Sequence, residues 1–489
     1  MMRTDRAHEW MKAAFIGFSL TALLGCPGDS RTPPSEKAPP PSLLLVVIDT
    51  LRADAVSVYG EVQGTTPNLD ALAASGERYT RAYAPSPWTV PSHASLLSGL
   101  EVPAHGVGLG GRVVLPEAVD TVAERLRAAG YQTAGFSENA LVSGDFGFDQ
   151  GFDHFAVRTA EEQLAAGQKG AIDVEEEVRL WLDRRDAERP FFIFINLYDP
   201  HEPYAVREEN RFLPPGIATD DAKSLGAGGR TSHLICDRIP SEAELSILRG
   251  LYLGDVAAAD AKLGAVLALL EARGIENLVT VVTSDHGEHF GERRLLDHEF
   301  SVQEEVLRIP LVVSRPGVEP AAIHRPVELR DVARSLLGWA GAKTSPITAR
   351  GLESSGRGAD TDSPPPLVAL YSDTRLHLPA AMDPGTAEQV QDFKRGGCGE
   401  DDRVYGDMLA ITRFPYRLNW YARYPSEFLD LRQPGAAAEA GKSENPEAFA
   451  ALERQANRFA EHVGLGEATS AHPLPAKNEE ALRSLGYID

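Results

Sequence analysis

The segment LLLVVIDT (43–50) decides the fold, because its first six residues form an unbroken apolar run that ends at Asp49. A run of this kind predicts a strand that is buried on both faces, as in a parallel sheet. The segments FFIFINL (191–197) and LVTVVTS (278–284) repeat the pattern, and the second leads directly into Asp285 and His286. Because the carboxyl ends of parallel strands meet at one edge of a sheet, we expect the residues that follow these strands to share a site.

Helical patterns separate the strands. A cap at Thr66 followed by Pro67 predicts a helix that ends at Gly76. Further elements are predicted at 121–130 (helix), 132–137 (strand), 173–185 (helix), 241–273 (helix) and 310–314 (strand). The alternation predicts an α/β fold over 42–345, with a large, mainly parallel or mixed sheet flanked by helices on both faces.

The pattern changes after residue 345. Segments rich in Pro, Gly and Ala follow, with short strand-like pieces at 366–371 and 416–421. We therefore expect residues 346–489 to form a smaller C-terminal α+β subdomain.

The N-terminus has the composition of an export signal. Basic residues precede an apolar stretch over 13–24, which is too short to span a bilayer. The stretch ends in Leu-Leu-Gly-Cys26, which resembles the bacterial lipobox, so residues 1–26 are expected to be a lipoprotein signal peptide with Cys26 as the lipidated residue. The Pro-rich segment 27–41 would then tether an exported domain to a membrane of the cell envelope, facing the periplasm or at the outer membrane. The alternative is a plain secretory signal with an incidental cysteine.

Charge and cysteine content narrow the choice of partners. The 489 residues carry a formal net charge of -23, which argues against a nucleic-acid surface because such surfaces need clustered Lys and Arg. Beyond Cys26 only Cys236 and Cys398 remain, and this pair permits a disulfide in an exported protein without requiring one. The sequence indicates no particular protein partner.

The segment SPWTVPSHASLLSG (86–99) offers a candidate nucleophile. Pro91 and Ser92 predict the first turn of a helix that ends at Gly99. The Thr89 hydroxyl would then face the positive end of the helix dipole, which stabilises an alkoxide and attracts an anionic substrate. The alternative is that Thr89 only caps the helix.

Ligands for a metal ion also stand directly after predicted strands. Asp49, Asp285, His286 and His201 occupy such positions, and Thr89 begins a predicted helix. A buried sheet does not normally end in carboxylates unless they are paired or bind a metal. Together these residues favour a metal site, although a single Asp at a strand end is more often a helix cap.

Several ordered segments resemble the signature blocks of the sulfatase family. They are VVIDTLRADAVSVYG (46–60), TTPNLDALAASG (65–76), TVPSHASLLSG (89–99), HGV (105–107), GFDQGFDHF (147–155), DPHEPY (199–204), TSDHGEHFGE (283–292) and EEVLRIPLVV (304–313). EFLDL (427–431) and LRSLGYID (482–489) resemble the C-terminal blocks of that family. The resemblance implies an alkaline-phosphatase-like fold and an enzyme that hydrolyses anionic esters with a bound divalent metal.

The resemblance also implies roles for individual residues. Asp49, Asp285 and His286 would ligate the metal, with Thr89 at the nucleophile position as a further ligand. His201 and His298 would contact the ester, one stabilising the transferred group and the other protonating the leaving oxygen. Two further contacts are expected from the family pattern, a catalytic His105 and a substrate-binding Asn139.

This sequence departs from the family at three positions. The family oxidises a Cys or Ser to formylglycine, but Thr89 is a secondary alcohol, so no formylglycine is expected. His93 replaces the usual Arg and is retained as a candidate substrate contact. Thr50 replaces the second Asp of the usual pair as a weaker ligand, and His286 stands where many sulfatases have Asn. Because imidazole suits zinc and manganese better than calcium, one Mn²⁺ or Zn²⁺ ion becomes an alternative to Ca²⁺.

Three functions remain open from the sequence. The first is a metal-dependent hydrolase of sulfuric or phosphoric esters. The second is a phosphodiesterase or headgroup phosphotransferase that uses Thr89 as a covalent nucleophile, as relatives of this fold do. The third is a non-catalytic, anion-binding lipoprotein, although such a protein has no physical need for so many polar groups in one cavity.

Overall fold

The structure is a computed structural model that describes residues 39–60, 64–157, 172–207, 210–227, 240–298, 300–353, 365–372, 406–432, 438–466 and 477–478. The expected signal peptide with Cys26, most of the Pro-rich tether, both other cysteines and the LRSLGYID block lie outside these residues. Residues 40–489 form one compact unit.

The strands are β1 (Ser42–Ile48), β2 (Glu77–Tyr79), β3 (Ala82–Tyr83), β4 (Gln132–Ser137), β5 (His154–Val157), β6 (Phe191–Leu197), β7 (Leu278–Thr283), β8 (His289–Phe290), β9 (Leu296–Asp297), β10 (Arg308–Ile309), β11 (Leu311–Ser314), β12 (Ala321–Ile323), β13 (Val327–Glu328), β14 (Leu367–Tyr371), β15 (Met408–Arg413), β16 (Tyr416–Tyr421) and β17 (Glu427–Asp430).

The helices are α1 (Pro67–Ser75), α2 (Thr89–Ser98), α3 (Val102–His105), α4 (Val122–Ala128), α5 (Val174–Arg184), α6 (Thr219–Ala227), α7 (Glu242–Ala272), α8 (Glu304–Leu307), α9 (Leu329–Trp339), α10 (Ala438–Glu444) and α11 (Pro446–Val463). In the part of the chain that the structure describes, no helix is long and apolar enough to cross a membrane.

The main sheet has the order β12-β2-β11-β7-β1-β6-β4-β5. The five adjacent strands β7, β1, β6, β4 and β5 run parallel to one another. Strand β11 is antiparallel to both β7 and β2, which makes the sheet mixed. The predicted α/β class is therefore confirmed, and the central strand β1 lies between β7 and β6.

Helices cover both faces of this sheet. Alternate residues of β1 belong to opposite cores, with Leu43 and Leu45 on one side and Leu44 and Val46 on the other. Residues of α2, α4 and α9 pack into the first core, and residues of α1, α5 and α7 pack into the second. Burial on both faces explains why β1 is an apolar run without polar alternation.

A smaller antiparallel sheet with the order β14-β15-β16-β17 follows in the C-terminal part of the chain. One face of it contributes to the core of the main domain through Ala369 and Met408. The other face packs against α11, where Leu409 and Phe428 meet Leu452. This arrangement confirms the expected C-terminal α+β subdomain.

Candidate active site

Asp49 directly follows β1 and is fully buried. Its N–H donates to the carbonyl oxygen of Leu197 at 2.8 Å, which continues the sheet by one residue. Its Oδ2 accepts from Nδ2 of Asn139 at 2.8 Å and lies 3.4 Å from Nδ2 of Asn196, whereas Oδ1 has no hydrogen-bond partner among the described residues. Burial, reinforced by the Asp285 carboxylate, raises the pKa of Asp49 well above its usual value.

Asp285 and His286 follow β7 at the same edge of the sheet and are also fully buried. Asp285 Oδ1 accepts from the N–H groups of Thr50 at 3.1 Å and His286 at 2.9 Å, but its Oδ2 has no hydrogen-bond partner in the described ranges. His286 Nδ1 donates to the carbonyl oxygen of Gly287 at 3.0 Å, so its Nε2 carries the lone pair. Burial lowers the pKa of His286 to about 4, which keeps the ring neutral.

Thr50 links Asp49 to Asp285, because it follows Asp49 in the chain and its N–H donates to the Asp285 carboxylate. Its φ of 52° lies in the left-handed region, which residues other than glycine seldom adopt. The backbone is held in that conformation by the bond to Asp285 and by the Tyr252 hydroxyl, which donates to the Thr50 carbonyl at 3.0 Å. Its Oγ1 is buried and has no hydrogen-bond partner among the residues described. Strain of this kind concentrates at functional sites.

Thr89 is the first residue of α2, and Pro91 and Ser92 lie in the first turn of that helix, as the sequence predicts. The residue is fully buried, and its Oγ1 lies 3.3 Å from Nε2 of His286. The hydroxyl therefore stands at the N-terminus of a ten-residue helix, where unpaired backbone N–H groups carry partial positive charge.

Ligand atoms of Asp49, Asp285 and His286 all lie within 4.8 Å of one another. We call these three residues and Thr89 the Asp285 cluster. Asp285 Oδ2 and His286 Nε2 are both acceptors, and they lie 3.3 Å apart without a proton between them. A cation relieves such an arrangement, and carboxylate, imidazole and hydroxyl groups are ligands for divalent metals. The residues therefore fit one divalent cation.

His201 and His298 flank the Asp285 cluster. The His298 ring centroid lies 4.4 Å from that of His286 and 4.9 Å from that of His201. His201 Nδ1 donates to the Glu202 carbonyl at 2.7 Å, and burial together with His298 lowers the pKa of His201. The structure thus brings together both histidines that the sequence placed at the ester.

His298 belongs to a second group, which we call the Asp297 cluster, formed by Glu288, Asp297 and His298. The His298 Nδ1 lies 2.5 Å from Asp297 Oδ1 and 3.3 Å from Glu288 Oε1. Although burial opposes it, these carboxylates raise the pKa of His298 well above its usual value. Burial and the nearby Asp297 raise the pKa of Glu288 to about 8. The sequence analysis did not single out Glu288 or Asp297, although both neighbour predicted site residues in the chain.

His93 lies one helical turn after Thr89 and does not face outward from α2. Its Nδ1 donates to the Thr89 carbonyl oxygen at 3.0 Å, and its Nε2 lies 3.3 Å from Nδ2 of Asn196. Burial lowers the pKa of the ring, which meets the edges of Phe148 and Phe194. Both nitrogens are engaged by protein groups, so the geometry does not favour the expected substrate contact.

The geometry also does not favour catalysis by His105. Its Nδ1 accepts from the N–H of Val107 at 3.0 Å, so its Nε2 is the donor to Oγ of Ser95 at 2.9 Å. Burial lowers the pKa of His105 to about 3. The neutral His105 ring links α2 to α3. Because both of its nitrogens form hydrogen bonds to protein groups, neither is available for proton transfer.

Two asparagines support Asp49: Asn196 lies within β6, and Asn139 lies in the loop after β4. Asn139 was expected to contact substrate, but its Nδ2 donates to Asp49 and its Oδ1 accepts from the N–H of Leu141 at 2.9 Å. Asn196 was missed by the sequence analysis and lies between Asp49 and His93. The sequence did contain an indication of its role, because Asn196 is the one polar residue of the buried strand FFIFINL.

Solved structures share this fold. A phosphonate monoester hydrolase from Silicibacter pomeroyi aligns with a TM-score of 0.65 at 21% identity, covering 86% of this chain and 95% of that one. A protein solved with its substrate D-glucosamine-2-N,6-O-disulfate aligns with a TM-score of 0.66 at 18% identity, covering 87% and 98%. Identities of 21% and 18% establish the likeness of the folds alone.

The family follows from sequence comparison. The family model described as Sulfatase matches residues 41–342, so this chain belongs to the sulfatase family and to the sulfuric ester hydrolases. An ulvan-active sulfatase from Formosa agariphila is 25% identical over 353 residues, which cover 66% of this chain and 66% of that protein. A multifunctional alkaline phosphatase superfamily protein from Trinickia caryophylli is 26% identical over 480 residues, covering 80% and 89%.

Proposed function

We propose that this chain hydrolyses sulfuric or phosphoric esters with the help of one divalent metal ion, and that Thr89 is the attacking group. The proposal rests on the 3.3 Å approach between the Thr89 hydroxyl and Nε2 of His286, inside a buried cluster of acceptor atoms. A hydroxyl that only caps a helix has no need to approach a neutral imidazole that itself lies beside two buried carboxylates.

Asp49, Asp285, His286 and Thr89 would hold the metal, and Thr50 Oγ1, which is buried without a hydrogen-bond partner among the described residues, is a further candidate ligand. When bound, the ion acts as a Lewis acid that lowers the pKa of the hydroxyl and offsets charge on the ester. The imidazole in the set favours Mn²⁺ or Zn²⁺ over Ca²⁺. Asn139 and Asn196 fix the Asp49 carboxylate in the orientation that this role requires.

Catalysis by the chain itself begins with Thr89. Its hydroxyl proton passes to solvent and its Oγ1 attacks sulfur or phosphorus. The bond to the leaving oxygen breaks as that oxygen takes a proton from His298, and the N-terminus of α2 stabilises the developing negative charge. Water then displaces Thr89 from the sulfuryl or phosphoryl group, which restores the hydroxyl. Because threonine cannot form an aldehyde, this route differs from the formylglycine route of other family members.

His298 and His201 divide the proton transfers. His298 is backed by the carboxylates of Asp297 and Glu288, which favour its charged form, so it protonates the leaving oxygen. Burial and the neighbouring His298 lower the pKa of His201, which favours its neutral form, so His201 accepts the proton of the incoming water. The opposite surroundings of the two rings decide the assignment.

The substrate class is tested with para-nitrophenyl sulfate, para-nitrophenyl phosphate, bis-para-nitrophenyl phosphate and a para-nitrophenyl phosphonate. Each is assayed with Mn²⁺, Zn²⁺ or Ca²⁺ on the wild-type chain, on Thr89→Ala and on Thr89→Ser. The proposal expects turnover that is lost in Thr89→Ala and partly kept in Thr89→Ser. Turnover of the diester only would favour the phosphodiesterase alternative, and a folded, metal-binding chain without turnover would favour the anion-binding lipoprotein.

We also propose that the chain is exported and anchored through lipidated Cys26, on the strength of its N-terminal sequence alone. The experiment is expression of the full chain and of Cys26→Ser in a bacterial host supplied with labelled palmitate. Label and membrane association should both depend on Cys26. A wild-type chain found in the cytoplasm without label would contradict the proposal.

A further inference from the structure

The segment that carries His298 has an unusual backbone. The His298 loop, residues 291–298, includes three residues other than glycine at positive φ: Arg293 at 54°, Arg294 at 62° and Asp297 at 66°. Such conformations are costly and persist only where the surroundings hold them. The short hairpin of β8 and β9 provides few backbone hydrogen bonds for this purpose. Contacts from elsewhere in the molecule must therefore contribute.

One carboxylate of the C-terminal subdomain reaches both sides of this loop. Glu427, the first residue of β17, accepts through Oε1 from Nη1 of Arg293 at 3.0 Å. Through Oε2 it accepts from Nε2 of Gln303 at 2.8 Å, beyond the loop, and from the hydroxyl of Tyr421 at 2.8 Å. Gln303 Nε2 also lies 2.9 Å from the Tyr421 hydroxyl. The Glu427 side chain is buried, which makes these charge-assisted bonds strong.

We propose that Glu427 is a positioning residue for His298, so that the C-terminal subdomain sets the orientation of the imidazole that protonates the leaving group. The inference rests on the proposed function, and it assigns a purpose to the EFLDL segment that the catalytic cluster does not use. Glu427 acts through Arg293 on one side and Gln303 on the other, and it contacts neither the metal ligands nor Thr89 in the described contacts.

The matched control lies on the same strand. Asp430, the last residue of β17, pairs with Arg432 rather than with the His298 loop. Glu427→Gln and Asp430→Asn each remove one carboxylate charge that the same subdomain contributes and that is paired with an arginine. A general weakening of the subdomain should affect both variants, whereas a positioning effect should appear in Glu427→Gln alone.

The first measurement does not depend on activity. Hydrogen–deuterium exchange is followed by mass spectrometry in full-length wild type, Glu427→Gln and Asp430→Asn. Amides of residues 288–298 should exchange about ten-fold faster in Glu427→Gln and at the wild-type rate in Asp430→Asn. Unchanged exchange in Glu427→Gln would overturn the inference. If that variant fails to fold, Arg293→Met removes the loop side of the same contact from a partly exposed position.

The second measurement compares leaving groups. A misplaced general acid matters most for a poor leaving group, so kcat of Glu427→Gln should fall about ten-fold on the phenyl ester and less than about two-fold on the para-nitrophenyl ester. In the His298→Ala background, Glu427→Gln should cause no further loss. Equal losses on both esters, or a further loss beside His298→Ala, would contradict positioning. An inactive wild type would instead refute the proposed function, and the exchange result would still decide whether Glu427 holds the loop.

Discussion

Two buried groups of side chains offer similar ligand atoms to a cation but differ in their hydrogen bonds. In the Asp285 cluster, acceptors face acceptors, with Asp285 Oδ2 and His286 Nε2 separated by 3.3 Å. In the Asp297 cluster, the N–H of His298 Nδ1 points to a carboxylate oxygen only 2.5 Å away. Ligand atoms around one metal ion stay about 3 Å apart, so the second group has room for a shared proton rather than an ion. The two clusters contain similar residue types, so it is the balance of hydrogen-bond donors and acceptors that distinguishes them. The Asp285 cluster is suited to a cation, and the Asp297 cluster is suited to a proton shared between His298 and a carboxylate.

The largest loss of activity is expected from substitution of Thr89, the proposed attacking residue of the Asp285 cluster. Thr89→Ala removes the attacking oxygen, and kcat should fall at least about 10³-fold. Metal content should stay close to that of wild type, because Asp49, Asp285 and His286 remain. The measurements are steady-state turnover and metal analysis of the purified protein. Substantial activity in Thr89→Ala would show that another group attacks the ester.

The next effect distinguishes the two clusters directly. Asp285→Asn removes a charged ligand, and the affinity for Mn²⁺ or Zn²⁺ should fall about 100-fold or more. Chelation should lower the melting temperature of the wild type and have little effect on this variant, since there is less bound metal to lose. Metal titration by calorimetry measures the affinity, with Asp297→Asn as the matched control. An equal loss of metal affinity in Asp285→Asn and Asp297→Asn would contradict the assignment of the metal to the Asp285 cluster.

Asp297→Asn is expected to have a smaller and more selective effect. The amide keeps the shape but no longer favours the charged imidazole of His298, so kcat on a phenyl ester should fall about 10- to 100-fold. The loss on a para-nitrophenyl ester should be much smaller, because that leaving group departs without a proton. Steady-state kinetics on the two esters test the prediction. A uniform loss would mean that Asp297 serves folding rather than His298.

The fold and the first cluster were predictable from sequence because both depend on local patterns. The apolar run of β1 ends at Asp49, and the run of β7 ends at Asp285 and His286. A parallel sheet brings such ends together whatever the remaining sequence does. Pro91 and Ser92 lie in the first turn of α2 and Gly99 follows its last residue, as predicted from the local pattern.

The supporting residues were harder to predict because their roles depend on long-range geometry. Asn196 contacts Asp49, which is 147 residues away in the chain. Asp297 contacts its neighbour His298 from a left-handed backbone conformation, which the local sequence does not predict. Glu427 is 134 residues from Arg293 in the chain, and nothing in the local pattern of EFLDL predicts a contact between them. For His93 and His105 the family pattern implied a substrate contact and a catalytic role, and the structure places the ring nitrogens of both against protein groups.

The smallest predicted effect concerns Asn139, which tests how far the Asp285 cluster depends on its neighbours. Asn139→Ala removes the 2.8 Å bond to Asp49 Oδ2 and leaves the longer contact from Asn196, so the carboxylate should lose orientation but remain a ligand. Metal affinity should fall about 10-fold, with KM unchanged when the metal is saturating. Calorimetry and kinetics at high metal concentration separate these quantities. An amide that only orients Asp49 cannot alter ester binding once the ion is in place. A raised KM with unchanged metal affinity would therefore show that Asn139 contacts the substrate, as the sequence analysis expected.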